Sequence, residues 1–188
     1  KKLEDVIKKK IRVTGKGDTD LVKDWGAVPV SISLEDLYDS LQKGTVDITI
    51  NAPTSAITNK YQEVAPYMTE LGMATAIMTA VMNQDFYNSL PDDLKEIFDK
   101  ELNPKLAEML TESYVKETKV AYEKFKKDVG DKGEIITLSS EELQRFKAPA
   151  KVQWDEWVED ANKKGYPGEE MMDDFKQMIQ DEGLELPF

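Results

Sequence analysis

The chain has 188 residues, 40% hydrophobic and 33% charged, an ordinary globular balance with room for one full domain or two small lobes. Its net charge of −12 argues against nucleic acid, whose phosphates need a basic face, so no such partner is expected, and it disfavours anionic membrane surfaces. Cysteine and histidine are both absent, which removes disulfides, thiolate chemistry, imidazole metal ligands and the Ser-His-Asp class of mechanism. An enzyme would have to work with carboxylates, Lys or Tyr alone, and none is expected. No apolar run approaches the roughly 20 residues that span a bilayer, so no direct membrane insertion is expected. The chain begins at Lys1 without an initiating Met and reads as a processed or excised piece, so a missing signal segment decides nothing about compartment.

The first half alternates short β-like runs with short helical patterns. Lys1 to Lys9 carries Leu3, Val6 and Ile7 at helical spacing. Ile11-Arg12-Val13 opens the first strand, bounded by Gly15 and Gly17, and a helix follows through Leu21, Val22 and Trp25 until Gly26 stops it. Ala27 to Ser31 reads as a second strand. Ser33, with Asp36 in the capping-box position, predicts a helix carrying Leu34, Leu37, Tyr38 and Leu41, ended by Gly44. Val46 to Ile50 forms a third strand. This alternation indicates parallel β-α-β units. Further strands are predicted at Glu63 to Thr69 and Met73 to Met82. The latter run also fits a buried helix, but Thr75, Ile77, Thr79 and Val81 favour a strand.

From Leu90 the character changes. Pro91 with Asp92 and Asp93 starts a helix, acids facing the positive end of its dipole. Apolar positions recur at helical spacing from Leu94 to Phe125, and Gly130 and Gly133 end the run. Pro104 removes a backbone donor inside it and should kink or split the helix. A strand, Glu134 to Leu138, precedes a helix capped by Ser140. Two final helices, the first bearing Trp154 and Trp157, are broken at Gly165 to Gly168.

Arg12 is the most informative residue, one of only two arginines among 25 basic residues. It sits near the C-terminal end of an apolar strand, and ligands of open α/β sheets bind beyond those ends. A guanidinium offers a planar, bidentate fit to a carboxylate. The alternative is an internal ion pair, for instance with Asp47. Asn51 also ends a β-run, where its amide either meets a ligand or caps the following helix. The loop Thr14-Gly15-Lys16-Gly17-Asp18 lacks P-loop spacing and reads as a tight turn. Trp154 and Trp157, with Phe146 upstream, form either an aromatic ligand box or, the favoured reading, a packing face. The Met residues (Met68, Met73, Met78, Met82) read as core filler, and the acid pairs Asp92-Asp93 and Glu141-Glu142 as dipole partners.

Several motifs keep their order over nearly the whole chain: Lys10-Ile11-Arg12-Val13; Gly26-Ala27-Val28-Pro29-Val30; and Glu35-Asp36-Leu37-Tyr38-Asp39-Ser40-Leu41-Gln42-Lys43-Gly44-Thr45-Val46-Asp47. Tyr61-Gln62-Glu63-Val64, Ser89-Leu90-Pro91-Asp92-Asp93-Leu94 and Trp154-Asp155-Glu156-Trp157 continue the series. Together they resemble the solute-binding subunits of TRAP transporters, the DctP family. The resemblance implies an α/β, periplasmic-binding-protein-like (type II) lobe with a parallel or mixed sheet, a long lobe-spanning helix and C-terminal helices. It assigns residues 10–72 and 134–150 to the second-lobe ligand-binding domain, 73–133 to a hinge strand and the long helix, and 151–188 to helices packing across the lobes. It implies capture of a small carboxylate for membrane permease subunits of a TRAP transporter, in the periplasm or outside the cell. Arg12 would bridge the carboxylate, Asn51 would make a polar contact and Leu34 would line the pocket. Some members hold a metal with a Glu where this chain has Ile50, so neither metal nor other cofactor is expected.

Two departures stand out. The family's Asp-Gly is Asp47-Ile48 here, a bulky replacement that is expected to reshape or abolish the pocket. The family's N-terminal segment, which builds most of the first lobe, has no counterpart, so that lobe is expected to be incomplete, Lys1 to Lys9 to replace the lost connection, and an apolar face left open to favour self-association. The alternative to capture is a truncated or engineered scaffold that keeps the fold and binds nothing.

Overall fold

The computed structural model describes residues 1–72 and 79–186. Strand β1 (Lys10–Val13) is the centre of a three-stranded parallel sheet, flanked by β2 (Val28–Ser31) and β3 (Ile48–Thr49) in the order β2-β1-β3. The register pairs Arg12 with Val30 on one side and with Thr49 on the other.

Period-two alternation along β1 sends its residues to two separate cores. Ile11 and Val13 meet Val22 and Trp25 of the first crossover, together with Ala27 and Phe146, and Ile48 and Ile50 pack onto the same cluster. Helix α1 (Lys16–Asp24) supplies Val22, and Trp25 caps its C-terminus. On the opposite face, α2 (Leu37–Gln42) buries Leu37 and Leu41 with Val46 and Tyr61, against Val30 and Ile32. Helices therefore cover both faces, as parallel sheets require.

Some predicted boundaries move. Ser33 Oγ accepts from the Asp36 amide at 3.2 Å and donates to Asp36 Oδ2 at 2.9 Å, but this closes a tight turn, and α2 proper starts at Leu37. Leu34 is thereby left on the loop. Ser139, and not Ser140, caps α7 (Ser140–Lys147), accepting from the Glu142 amide at 3.2 Å.

Residues Tyr61–Glu63 form a 3₁₀ turn before β4 (Tyr67–Glu70), which pairs in parallel with β5 (Glu134–Thr137) as a separate two-stranded sheet. Of the strand predicted over Met73 to Met82, residues 73–78 lie outside the described residues, and 79–82 form neither strand nor helix. Helices α4 (Gln84–Ser89) and α5 (Asp92–Ile97) follow, and then α6 (Asn103–Val129). Between α5 and α6, Phe98–Leu102 forms one π-helical turn just before Pro104. The missing N–H of Pro104 breaks the regular ladder there, and the wider turn accommodates the ring while the helix continues.

Only the last third of α6 is buried, through Ala121, Phe125 and Val129, and it packs on the 61–63 turn and on α3 (Pro53–Thr58). Leu94, Ile97, Leu106, Met109 and Leu110 are exposed, an apolar stripe along α5 and the first half of α6.

The C-terminal pair α8 (Ala150–Lys163) and α9 (Gly168–Asp181) packs as a hairpin, Trp154 against Phe175 with ring centroids 5.7 Å apart. The packing face predicted for the tryptophans holds for Trp154, whereas Trp157 is 45% exposed. Near the N-terminus, Leu3–Val6 is a 3₁₀ turn whose Leu3 and Val6 pack against the Ile11 cluster, while Ile7 is exposed. Arg145 of α7 fastens this turn by bridging Glu4 and Glu142.

Candidate functional site

In the order β2-β1-β3 the chain leaves β1 over one face of the sheet and α2 and α3 cover the other, which makes the carboxyl ends of β1 and β3 a topological switch point, where a crevice opens in α/β sheets. Arg12 stands at that point. Its side chain lies on the α2 face and is largely buried, yet no carboxylate among the described residues is within ion-pairing distance of it. Asp47, the internal partner considered from sequence, instead accepts the Lys10 amide at 2.8 Å. The Arg12 Nε donates to the Ile32 carbonyl at 3.2 Å, fixing the guanidinium plane. The terminal nitrogens take no protein partner among the described residues, and neither is among the fully buried unpartnered side-chain atoms, so they are not sealed from solvent. A buried stem with a fixed plane and two free terminal nitrogens presents two parallel N–H donors to a planar anion.

Asn51 does not cap α3: the cap residue is Ala52, and no side chain bonds there. Asn51 Nδ2 donates instead to Thr49 Oγ1 at 2.7 Å. Thr49 is the β3 register partner of Arg12, so Arg12, Thr49 and Asn51 are brought together on one face. Leu34 is 44% exposed on the loop after β2, two residues beyond the carbonyl that holds Arg12. Its own carbonyl accepts from the Tyr61 hydroxyl at 3.5 Å, a long contact. Burial pushes the Tyr61 phenol above its ordinary value, and the positive field of Arg12 opposes that shift.

Thr49 and Tyr61 were not singled out in the sequence. Thr49 had a readable signal, because in Ile48-Thr49-Ile50-Asn51 the two polar residues share one face and the two isoleucines the other. Tyr61 offered none beyond its place in a motif.

Two concavities lie elsewhere. A groove of about 350 Å³ between α3 and α6 is lined by Thr54, Ile57, Leu110, Tyr114 and Val120 among others. A hydroxyl-rich hollow of about 480 Å³ beside α2 is lined by Ser31, Ser33, Ser40 and Thr45 with Asp36 and Asp39. Arg12 lines neither. Among the described residues no group of three or more acidic, His or Cys side chains is placed to hold a metal ion.

The family described as bacterial extracellular solute-binding protein, family 7 (DctP), matches residues 1–160. The chain belongs to this family. It is 32% identical over 75 residues to the C4-dicarboxylate-binding periplasmic protein DctP of Rhodobacter capsulatus, a match covering 40% of this chain and 22% of that protein. Among solved structures, a TRAP periplasmic solute-binding protein from Desulfovibrio salexigens superposes with a TM-score of 0.79 at 26% identity, covering 98% of this chain and 57% of that one. The TRAP solute-binding protein of Rhodoferax ferrireducens, in complex with copurified benzoate, gives 0.78 at 25% identity over 96% and 57%. The periplasmic ectoine-binding protein of Halomonas elongata gives 0.78 at 24% identity over the same shares.

This family 7 chain therefore spans 57% of the length of those solved relatives. Its α/β architecture, with parallel sheets and long helices, is that of a partial type II periplasmic-binding-protein fold. The family and its structural neighbours are solute-binding proteins and not enzymes. The family's extracellular assignment and the periplasmic relative give the chain a periplasmic location. No helix among the described residues is long and apolar enough to cross a membrane.

Proposed function

We propose that this chain is the ligand-holding part of a TRAP-transporter solute-binding subunit that captures a small organic acid by its carboxylate and presents it to membrane permease subunits. The observation that carries the reading is Arg12: buried, oriented through Ile32, and with no partner among the described residues at its terminal nitrogens, at the switch point of the sheet. Asn51 supplies a polar contact beside it, and Leu34 gives the cleft an apolar border. Residues 10–72 and 134–150 act as one lobe, a grouping supported by Leu71, Leu138 and Phe146 packing with Ile11. The segment 73–133 serves as hinge and lobe-spanning helix, and residues 151–188 pack across the lobes. The Rhodobacter relative is named for C4-dicarboxylates and the Rhodoferax relative holds benzoate, so both acid classes belong in the test.

The test is a thermal melt with benzoate, 3-hydroxybenzoate, succinate and galacturonate, run for the wild-type chain and for Arg12→Ala. An acid that binds only the folded state stabilises by about 2.7 kcal/mol at a hundredfold excess over its dissociation constant. A rise in midpoint with one acid class that vanishes in Arg12→Ala supports capture. A cooperative melt unmoved by every acid would instead mean a fold retained without its binding function.

A further inference from the structure

We propose that Thr49 is a further ligand contact, whose hydroxyl, oriented by Asn51, donates to the same anion that Arg12 holds. This rests on the capture reading above and extends it to a residue with an ordinary strand side chain.

Three observations converge. Thr49 and Arg12 are register partners in the parallel β1–β3 pair, so their side chains leave the sheet next to each other on one face. Thr49 Oγ1 already accepts the Asn51 amide at 2.7 Å. A hydroxyl has one donor and two acceptor sites, so the function it has left to give strongly is its O–H. No acceptor for that O–H is found among the described residues. Thr49 is half-buried, so a bond made there is partly shielded from competing water. The neighbouring guanidinium is what selects the partner of the O–H: it draws an anion, whose lone pairs accept the hydroxyl in a short charge-assisted bond.

The Asn51–Thr49 pair thus converts a neutral side chain into a directed donor. Arg12 supplies charge and planarity. Thr49 supplies a third donor from the adjacent strand, which together with the two guanidinium donors holds a bound carboxylate in one orientation.

The test compares Thr49→Val, which keeps shape and β-branching but removes the hydroxyl, with Thr49→Ser, which keeps the hydroxyl. Both are titrated calorimetrically with benzoate, 3-hydroxybenzoate, succinate and galacturonate alongside the wild-type chain and Arg12→Ala, and acid-free melts verify folding. Hydrogen bonds to charged groups are worth enough that Thr49→Val should weaken binding of the responsive acid by about tenfold or more, with Thr49→Ser close to wild type. Binding by Thr49→Val equal to wild type, while Arg12→Ala abolishes it, overturns the Thr49 role and leaves capture standing. That is also the outcome expected if Thr49 donates to Asn51 Oδ1 instead. Binding undiminished in Arg12→Ala, or absent for every acid in the wild-type chain, overturns the capture reading and this inference with it.

Discussion

Ile48 and Arg12 sit on hydrogen-bonded neighbouring strands and face opposite sides of the sheet. Ile48 is the register partner of Ile11 and packs into the cluster with Val22 and Trp25, whereas Arg12 pairs with Thr49 on the α2 face. Ile48, where the resemblance implies a glycine, therefore packs into a core on the face of the sheet opposite the guanidinium. Shortening it should act on stability. Ile48 is half-buried, so Ile48→Ala is expected to cost about 1–3 kcal/mol, the lower part of the range for such core truncations. The midpoint should fall by roughly 2–10 °C for a chain of this size, with the pattern of responding acids unchanged. A change in which acid responds, in the melts described above, would return Ile48 to the site.

Gly133 is required by contact and not by backbone angle. Its φ is −149°, ordinary extended geometry, but a Cβ at this position would overlap the Pro66 carbonyl just ahead of β4. The obstacle is backbone, which cannot rotate away, so Gly133→Ala should push apart the turn that aligns β4 with β5. A loss of about 3 kcal/mol or more is expected by denaturant titration. Gly165→Ala is the contrast, with nothing near its Cβ but a φ of +84°, and should lose only about 1 kcal/mol. Equal losses at both positions would remove the steric account.

Arg145 gives the stability a pH signature. It raises no site, but it holds the Glu4 carboxyl below its ordinary value of 4.5 by direct hydrogen bonding. Glu142 is lowered from the same value, first by the Leu3 amide and then by Arg145. A depressed carboxylate pKa contributes stability that is present above the unfolded value and is lost as pH falls through the folded one. The whole-chain curve mixes this with relief of the −12 net charge on acidification, which has the opposite sign. The clean quantity is the difference in midpoint between wild type and Arg145→Met. It should be constant from pH 7 down to the region of 4.5 and shrink below it. A difference that persists at pH 3 would show packing of the Arg145 stem, and not the ion pairs, to be what matters.

Much of this was legible in the residues. Strong local signals fixed β1 to β3, Gly26 and Gly44 ended their helices as left-handed residues, and Arg12 stood out as a charge inside an apolar strand. What was illegible depended on contacts distant in sequence. The Ser33 turn satisfied the capping pattern locally, while the helix began only where Leu37 reached the Tyr61 cluster. Of the tryptophan pair, Trp154 packs on Phe175 and is half-buried, while Trp157 stays 45% exposed, a difference that rests on a helix distant in sequence. Asn51 fits both a cap and a ligand contact by sequence, and its bond to Thr49 appears only once strand alternation is read together with a side-chain rotamer.

Trp25 shows how such a distant contact holds the lobe together. Its indole N–H donates to the Phe146 carbonyl at 2.9 Å, and its ring meets the Phe146 ring edge-on at 5.3 Å. Phe146 lies in the last turn of α7, where helix carbonyls lack intrahelical donors, so Trp25 satisfies an acceptor that is otherwise orphaned in a buried place. Trp25→Phe keeps an aromatic ring but leaves that carbonyl unpaired and a gap where the larger indole stood. Together these are expected to cost about 2–4 kcal/mol. Phe146→Leu retains the carbonyl bond and loses the edge contact, worth about 0.5–1.5 kcal/mol beyond the area lost. In a double-mutant cycle followed by urea unfolding, the two changes should couple by about 0.5 kcal/mol or more, because one removes the partner of the other. Strict additivity would mean that α7 is held in place by the packing of Leu138 and by the Arg145–Glu4 bridge to the N-terminal turn, with the Trp25 contact incidental.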